Sequence, residues 1–414
     1  MNKKKAIPLA RVSVASLMST LLLIPAAHAF ETTGYFRAGL GDSSGSNSMR
    51  CFKLQGAQSK YRLGNECEQY GEFAAKQDFL TLDDGSAVGV FGMASLYNQY
   101  DRTPTFNGDN GQIRLPQAYA YWNNVAALNG GNVWAGRRYY KRNDIHISDF
   151  FYWNQSATGG GIEDVNIGGL KYSVAFSRKD NQNQKDFQNR FDFNVAGFNT
   201  NPNGSLEIGV SYLDKPTNQP NANSGIAVTL QHKQANFMGW GGVNTFAVQR
   251  GQGPGTALGS TGDPTLSSSD VSYRVVDFFD WQISRYWGGQ VAAVYQKDER
   301  PNGNDLRWTS LGGRLVYGIS DQFKFSTELG HDQVQAPGGT RKLTKLTLAP
   351  TWSPKGPEFK TRPEFRLFYT YAAWNRAAQQ AADDFDAGST LSSTGNFGND
   401  LHGSNIGFQV EQWW

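Results

Sequence analysis

A dense group of charged and polar side chains lies in a short stretch of the chain: Arg142, Asp144, His146 and Asp149. Side chains of both signs give and accept charge-assisted hydrogen bonds, so this group is suited to binding a polar ligand. Catalysis is less favoured, because acyl transfer needs a Ser–His pair or an equivalent, and no histidine of the chain lies in a nucleophile motif. We therefore interpret His146 as a hydrogen-bonding residue and expect no enzymatic activity.

Charged side chains also recur at every second position of many segments. Tyr35 and Arg37 share one face, as do Tyr70, Glu72 and Lys76, and apolar residues occupy the other face. The same pattern places charge on one face at Glu207, Arg314, Glu328 and Glu411. A period of two predicts β-strands with one apolar and one polar face. The polar face could line a water-filled lumen or face bulk solvent. Alternation alone therefore does not distinguish a membrane barrel from a soluble β-sandwich.

Composition excludes several classes of protein. The chain has 414 residues and a formal net charge of +3, with 18% charged residues, 13% aromatic residues and 47 glycines. A helical membrane protein would show repeated long apolar runs, and a disordered chain would have fewer aromatic residues. A nucleic-acid-binding protein would carry a clear basic excess, so we expect no nucleic-acid partner. A β-rich, glycine-rich protein remains.

The first residues are typical of a secretory signal peptide. Lys3, Lys4, Lys5 and Arg11 precede a mostly apolar stretch that ends in the small-residue site Ala27-His28-Ala29. The alternative is an N-terminal membrane anchor, but the apolar stretch is short and interrupted by serines. We expect residues 1–29 to be the leader and residues 30–414 to form a single domain.

Two cysteines, Cys51 and Cys67, lie in a polar, Gly/Ser-rich stretch. An exported protein with two cysteines usually pairs them, so we predict a disulfide. Two cysteines with no histidine nearby do not make a zinc site. The Asp-rich turns are compatible with a structural calcium ion, but no calcium-binding motif is present. We therefore predict no metal site and no cofactor.

The end of the chain indicates a membrane barrel. Ile406 to Trp414 alternates and finishes on an aromatic residue, as outer-membrane barrel strands do. Long polar runs such as Gly251–Asp270 and Ala382–Gly403 fit the external loops of such a barrel. The best helical candidate, Ala377–Asp384, lies within a polar insertion. By parity Trp414 joins the interfacial aromatic girdle, whereas Trp413 points into the lumen.

Longer strings of sequence resemble the maltoporin family of sugar-specific porins. They are Gly56–Cys67, Trp134–Trp153, the opening Gly34–Arg37 and the final pair of tryptophans. The resemblance implies an all-β, transmembrane antiparallel barrel of 18 strands, assembled as a homotrimer. It also implies a multi-pass protein of the bacterial outer membrane, with membrane lipid, lipopolysaccharide and an oligosaccharide substrate as partners, and passive diffusion of maltose and maltodextrins.

The family lines its pore with an aromatic slide opposite a polar track. The resemblance places the slide at Tyr35, Tyr70, Phe246, Phe359 and Trp413. It places the polar track and constriction at Arg37, Arg62, Glu72, Arg114, Arg142, Asp144, His146, Asp149 and Phe151. A further slide residue, donated by a neighbouring subunit in the family, would lie near residues 97–100.

Two positions depart from the family pattern. Phe151 stands where the family has a constriction tyrosine, and Lys360 stands where the family has a tryptophan of the slide. These changes leave open a porin for another sugar, such as sucrose or glucose, and a general diffusion porin with weak sugar selectivity. The other hypotheses are an outer-membrane enzyme and a soluble exported lectin, and the chain end disfavours the lectin.

Overall fold

The computed structural model describes residues 30–46, 48–100, 102, 112–179 and 188–414. The predicted leader, residues 1–29, lies outside the described residues. No helix in the described ranges is both long and apolar enough to cross a membrane.

Strands dominate the described chain and are numbered in chain order. They are β1 (Phe30–Ser43), β2 (Glu68–Thr81), β3 (Ala87–Gln99), β4 (Gln112–Val125), β5 (Gly131–Arg138), β6 (Asn143–Ile145), β7 (Phe150–Trp153), β8 (Ala157–Ile167), β9 (Leu170–Lys179), β10 (Gln188–Asn201), β11 (Gly204–Leu213), β12 (Gly225–Ala235), β13 (Val243–Gln252), β14 (Val271–Ser284), β15 (Trp287–Glu299), β16 (Leu306–Gly318), β17 (Phe323–Ala336), β18 (Gly339–Trp352), β19 (Glu364–Trp374) and β20 (His402–Trp413). One helix, α1 (Arg376–Phe385), covers the predicted helical stretch.

The strands form one closed sheet. Eighteen of them belong to it, and β6 and β7 pair only with each other. β1 pairs antiparallel with β2 on one side and with β20 on the other, so the described sheet has no free edge. The predicted 18-stranded antiparallel barrel is therefore confirmed.

The two ends of the barrel differ in the length of their connections. At one end, here the short-turn end, neighbouring strands are joined by turns such as 168–169 and 285–286. At the other end the connections include the long segments 44–67, 139–156 and 375–401. This asymmetry is typical of outer-membrane barrels, whose inner turns are short and whose external loops are long.

The strand faces alternate as the sequence predicts. Leu311 and Leu315 point outward and are exposed, whereas Arg314 between them points into the lumen and is buried. On the neighbouring strand Glu328 also points inward, and the Arg314 guanidinium lies 2.7 Å from its carboxylate. Large apolar residues cover the outside and charge fills the inside, which is the arrangement that lipid on one side and water on the other require.

The interior is filled by long connections that fold inward, so the core lies within the lumen. In segment 44–67, Tyr61 packs against the wall, where a Cβ atom on Gly330 would lie 2.0 Å from its ring. Glycine is needed there because any side chain would displace the ring. The predicted disulfide between Cys51 and Cys67 is present in this segment, with the Cα atoms 5.8 Å apart.

Candidate functional site

A cavity of about 480 Å³ lies in the lumen between β1, β2, β3, β20 and the inward-folded connections. Its walls contain aromatic rings and side chains of both charges. The lining residues are Tyr35, Arg37, Arg62, Glu68, Tyr70, Glu72, Tyr97, Arg142, Asp144, His146, Asp149, Phe151 and Trp413. The structure therefore brings together most of the residues that the sequence singled out, although they come from distant parts of the chain.

Four aromatic residues follow one another across adjacent strands. Tyr97 on β3 is the register partner of Tyr70 on β2. The Tyr70 ring lies 6.1 Å from that of Tyr35 on β1, and Tyr35 is the register partner of Trp413 on β20. The step from Tyr70 to Tyr35 moves toward the short-turn end, because the register partner of Tyr70 is Arg37, which lies two residues further from that end than Tyr35. We call these four residues the ring track.

Trp413 is supported on one face and open to the cavity. The Arg362 guanidinium carbon lies 4.1 Å from the centroid of its ring, a cation–π contact. The His146 ring meets the tryptophan edge to face at 5.8 Å. These contacts fix the plane of the indole, so its remaining surface is held ready for an apolar partner.

A buried ion network anchors the wall behind the rings. Glu411 accepts hydrogen bonds from the Tyr35 hydroxyl at 2.8 Å and from the Arg62 guanidinium at 3.0 Å. Its second carboxylate oxygen accepts from Arg362 at 2.9 Å and also from Arg366. Several arginines share this one carboxylate, so the Tyr35 hydroxyl and the Arg62 side chain have fixed positions.

Segment 139–156, which contains β6 and β7, narrows the lumen, and we call it the constriction loop. It is attached to the far wall through Ile147, whose backbone N–H donates to Gln290 Oε1 at 2.9 Å. The Ile147 carbonyl accepts the backbone N–H of Arg62 at 3.0 Å. Further along, the Arg274 guanidinium donates to the Tyr152 carbonyl at 2.8 Å. The loop is thus held rigidly on both sides of the cavity.

Arg142 of the constriction loop is held by two rings. Its guanidinium carbon lies 4.1 Å from the Tyr139 ring centroid and 3.9 Å from that of Phe151. Among the described residues no carboxylate lies within ion-pair distance of it. Stacking covers the faces of the guanidinium and leaves its N–H edge available to a ligand.

The charge states of two residues of the constriction loop depend on their surroundings. Burial raises the pKa of Asp144, and the nearby Asp149 adds to the effect. Burial lowers the pKa of His146 well below its usual value, and the neighbouring Arg62 acts in the same direction. His146 is therefore neutral near pH 7, and its Nε2 atom accepts from Arg362 at 3.4 Å. This fits the hydrogen-bonding role predicted for it.

Three residues of the predicted site lie outside this cavity. Phe246 is on the outer face of β13, 42% exposed, so its assignment to the slide is wrong. Phe359 is buried and packs against the His146 ring at 5.9 Å, so the assignment that places its ring in the pore is also wrong. Arg114 lines a neighbouring cavity of about 730 Å³, which shares Tyr70 and Tyr97 with the first.

Sequence reasoning missed Glu68, which faces the cavity. It expected the residues near Tyr97 to serve a neighbouring subunit, whereas Tyr97 lines the cavity of its own chain. The alternation of β3 is weak because the strand is rich in small residues, and the pairing of Tyr97 with Tyr70 was the missing information. In the described part of the chain no group of three or more His, Cys, Asp or Glu side chains is placed to hold a metal ion.

Comparison with known proteins supports this architecture. The family described as LamB porin matches residues 30–414. The chain is similar to the outer membrane protein OpdK from Pseudomonas aeruginosa, with a TM-score of 0.50 and 11% identity, over 93% of this chain and 99% of that one. It is also similar to OccAB1 from Acinetobacter baumannii, with a TM-score of 0.51 and 12% identity, over 93% and 96% of the two chains. At this identity the likeness to the solved structures concerns the fold alone.

Proposed function

The chain belongs to the LamB porin family and is a porin of the bacterial outer membrane, and we propose that it passes small saccharides selectively by binding them in the lumen. The observation that carries the proposal is that one cavity holds a series of aromatic rings together with hydrogen-bonding groups of both charges. This combination matches the chemistry of sugars more closely than that of simple ions.

A pyranose ring has two kinds of surface. Its C–H faces are apolar and pack on aromatic rings, which require no fixed hydrogen-bond register. Tyr70, Tyr35 and Trp413 supply such rings along the wall. A sugar that moves from one ring to the next exchanges similar contacts, so binding remains weak enough for release.

The rim of a pyranose carries hydroxyl groups that lose water on entering the lumen. Arg142 offers donors that make no ion pair among the described residues, and Asp144, Asp149 and Glu72 offer acceptors. Charge-assisted hydrogen bonds of this kind replace those to water. Maltose and maltodextrins are the first substrates to test, followed by sucrose and glucose, because Phe151 provides no hydroxyl at the constriction.

We further propose that the barrel is a homotrimer surrounded by lipid and lipopolysaccharide. One part of the outer wall, over β3, β4, β5 and β8, carries small residues that are register partners. They are Gly92 with Ala118, and Ala120 with Ala135 and Gly160. Elsewhere the wall carries large residues such as Leu230 and Leu367. Small side chains let another barrel approach closely, so this patch suits an interface between subunits.

The decisive experiment is single-channel conductance in a planar bilayer, titrated with maltose, maltodextrins, sucrose and glucose. Saturable block of the ion current is expected, and its rank order identifies the preferred sugar. Steady conductance with no block by any of these sugars would reject selective binding and favour the alternative, a general diffusion porin. Trp413→Ala is the informative variant, because it removes a ring of the track and leaves the hydrogen bonds that hold the constriction loop in place.

A further inference from the structure

The ring track does not continue below Trp413. On the short-turn side of this residue lies the connection 353–363 between β18 and β19, which we call the inner strap. The strap turns into the lumen, where its Arg362 stacks on Trp413 and its Phe359 packs behind His146. Neither residue of the strap presents an aromatic face to the cavity, because one is a cation and the other is buried.

An ion pair lies in the same strap, two residues along the chain from the arginine that stacks on Trp413. Lys360 of the inner strap places its Nζ atom 2.5 Å from Asp280 Oδ2 on the lumen face of β14. Asp280 also accepts a hydrogen bond from Gln290, the residue whose Oε1 atom accepts the Ile147 N–H of the constriction loop. The pair is therefore attached to the constriction itself. The Lys360 side chain is 66% exposed, so it stands in the water of the lumen.

This arrangement limits how much of a sugar chain finds apolar contact. The ring track crosses four neighbouring strands, a span of about 15 Å at the usual strand spacing. An ammonium and a carboxylate are strongly hydrated and offer no plane on which a sugar ring packs. Additional sugar units that reach past Trp413 meet the ion pair, so they add little binding energy.

We propose that the channel is specific for short saccharides, and that the Lys360–Asp280 pair ends the binding track so that affinity stops rising with chain length. This inference rests on the proposed function, since it names the substrate size that the same site takes. It also predicts that the track is extended by placing a ring where Lys360 stands.

The test is current block by the series from glucose to maltoheptaose, measured for the wild-type protein and for Lys360→Trp. For the wild type, the binding constant is expected to rise to maltotriose and then to change by less than about twofold. In Lys360→Trp the rise is expected to continue, with a gain of about twofold to tenfold for the longer sugars from one more stacked ring. A wild-type constant that climbs steadily to maltoheptaose would overturn the inference while leaving the proposed function intact.

Two control variants separate the causes. Lys355→Trp adds the same ring to an exposed lysine of the same strap that makes no ion pair among the described residues, and it is expected to leave the series unchanged. Lys360→Met removes the charge without adding a ring, and the levelling-off is expected to remain. If Lys360→Trp behaves like Lys355→Trp, Lys360 does not mark the end of the track. If no sugar blocks the wild type, the proposed function fails and this inference fails with it.

Discussion

The Arg142 guanidinium stacks on the ring of Phe151, with its central carbon 3.9 Å from the ring centroid. Tyr139 holds the same guanidinium at 4.1 Å. The phenylalanine that departs from the family pattern therefore has a use that needs no hydroxyl: it fixes the direction of a constriction cation that makes no ion pair in the described part of the chain.

Replacing this ring tests that use. We expect Phe151→Ala to weaken sugar block by about threefold or more, because Arg142 loses a cation–π contact and gains rotational freedom. Phe151→Tyr keeps the stack and should bind sugar at least as well as the wild type. The measurement is the block constant for maltose and sucrose in single channels. Equal constants for the wild type and Phe151→Ala would show that stacking does not matter for binding.

Replacing two aromatic residues of the predicted slide, Trp413 and Phe246, should have different effects on sugar block. Trp413→Ala removes a ring from the cavity and should weaken block by about twofold to tenfold. Phe246→Ala changes the outer face and should leave the block constant unchanged. The measurement is the constant for sugar block of the ion current, compared between the two variants at equal channel number. A clear effect of Phe246→Ala on block would contradict its outward placement.

The difference between Trp413 and Phe246 shows where the sequence predicts which face of the barrel wall a side chain occupies, and where it does not. Side chains alternate with a period of two along a strand, so Tyr35, Tyr70 and Trp413 could be placed on the lumen face from their charged neighbours. The same period makes a one-residue error in alignment move a side chain through the wall. Phe246 lies outside the strings that carry the family resemblance, so no neighbouring match determines its register.

The inward connections were harder to predict than the wall. Phe359 and Lys360 lie in the inner strap, where no repeating pattern shows which side chain faces the lumen. Their positions depend on contacts that are distant in sequence, such as the Phe359 N–H that donates to Gln282 at 3.0 Å. The short blocks of family resemblance located the constriction loop correctly, because its charged residues are close together in the chain.

The buried network around Glu411 should control the stability of the barrel. Glu411→Gln is expected to lower the free energy of unfolding by about 3–5 kcal/mol, because it leaves buried arginines without their carboxylate. The arginines concerned are Arg62, Arg362 and Arg366. Glu299→Gln is the control, since its ion pair with Lys297 is exposed and screened by water, so its loss should change the unfolding midpoint little. Urea denaturation in detergent measures both, and equal midpoints would refute the role of the network.

Stability should also respond to pH through His146. Its pKa is held well below the usual value in the folded protein by burial, and the cations Arg62 and Arg362 lie beside it. In the unfolded chain the imidazole has its ordinary pKa of about 6.5, so below that pH the unfolded state binds more protons. The unfolding temperature should therefore fall between about pH 7.5 and 5.5, and it should fall less in His146→Asn. His402→Asn, at the exposed start of β20, should keep the wild-type profile.

The small-residue patch predicts where subunits meet. Ala120→Trp places a large side chain among Ala135 and its neighbours, so barrels should no longer approach closely and the trimer should dissociate in mild detergent. Leu230→Trp introduces the same ring on a part of the wall that already carries large apolar residues, and assembly should be unaffected. Light scattering coupled to size-exclusion chromatography gives the mass of each species. Because the sugar site lies within one lumen, dissociated Ala120→Trp barrels should still conduct ions. A trimer that survives Ala120→Trp but not Leu230→Trp would place the interface around β12 instead.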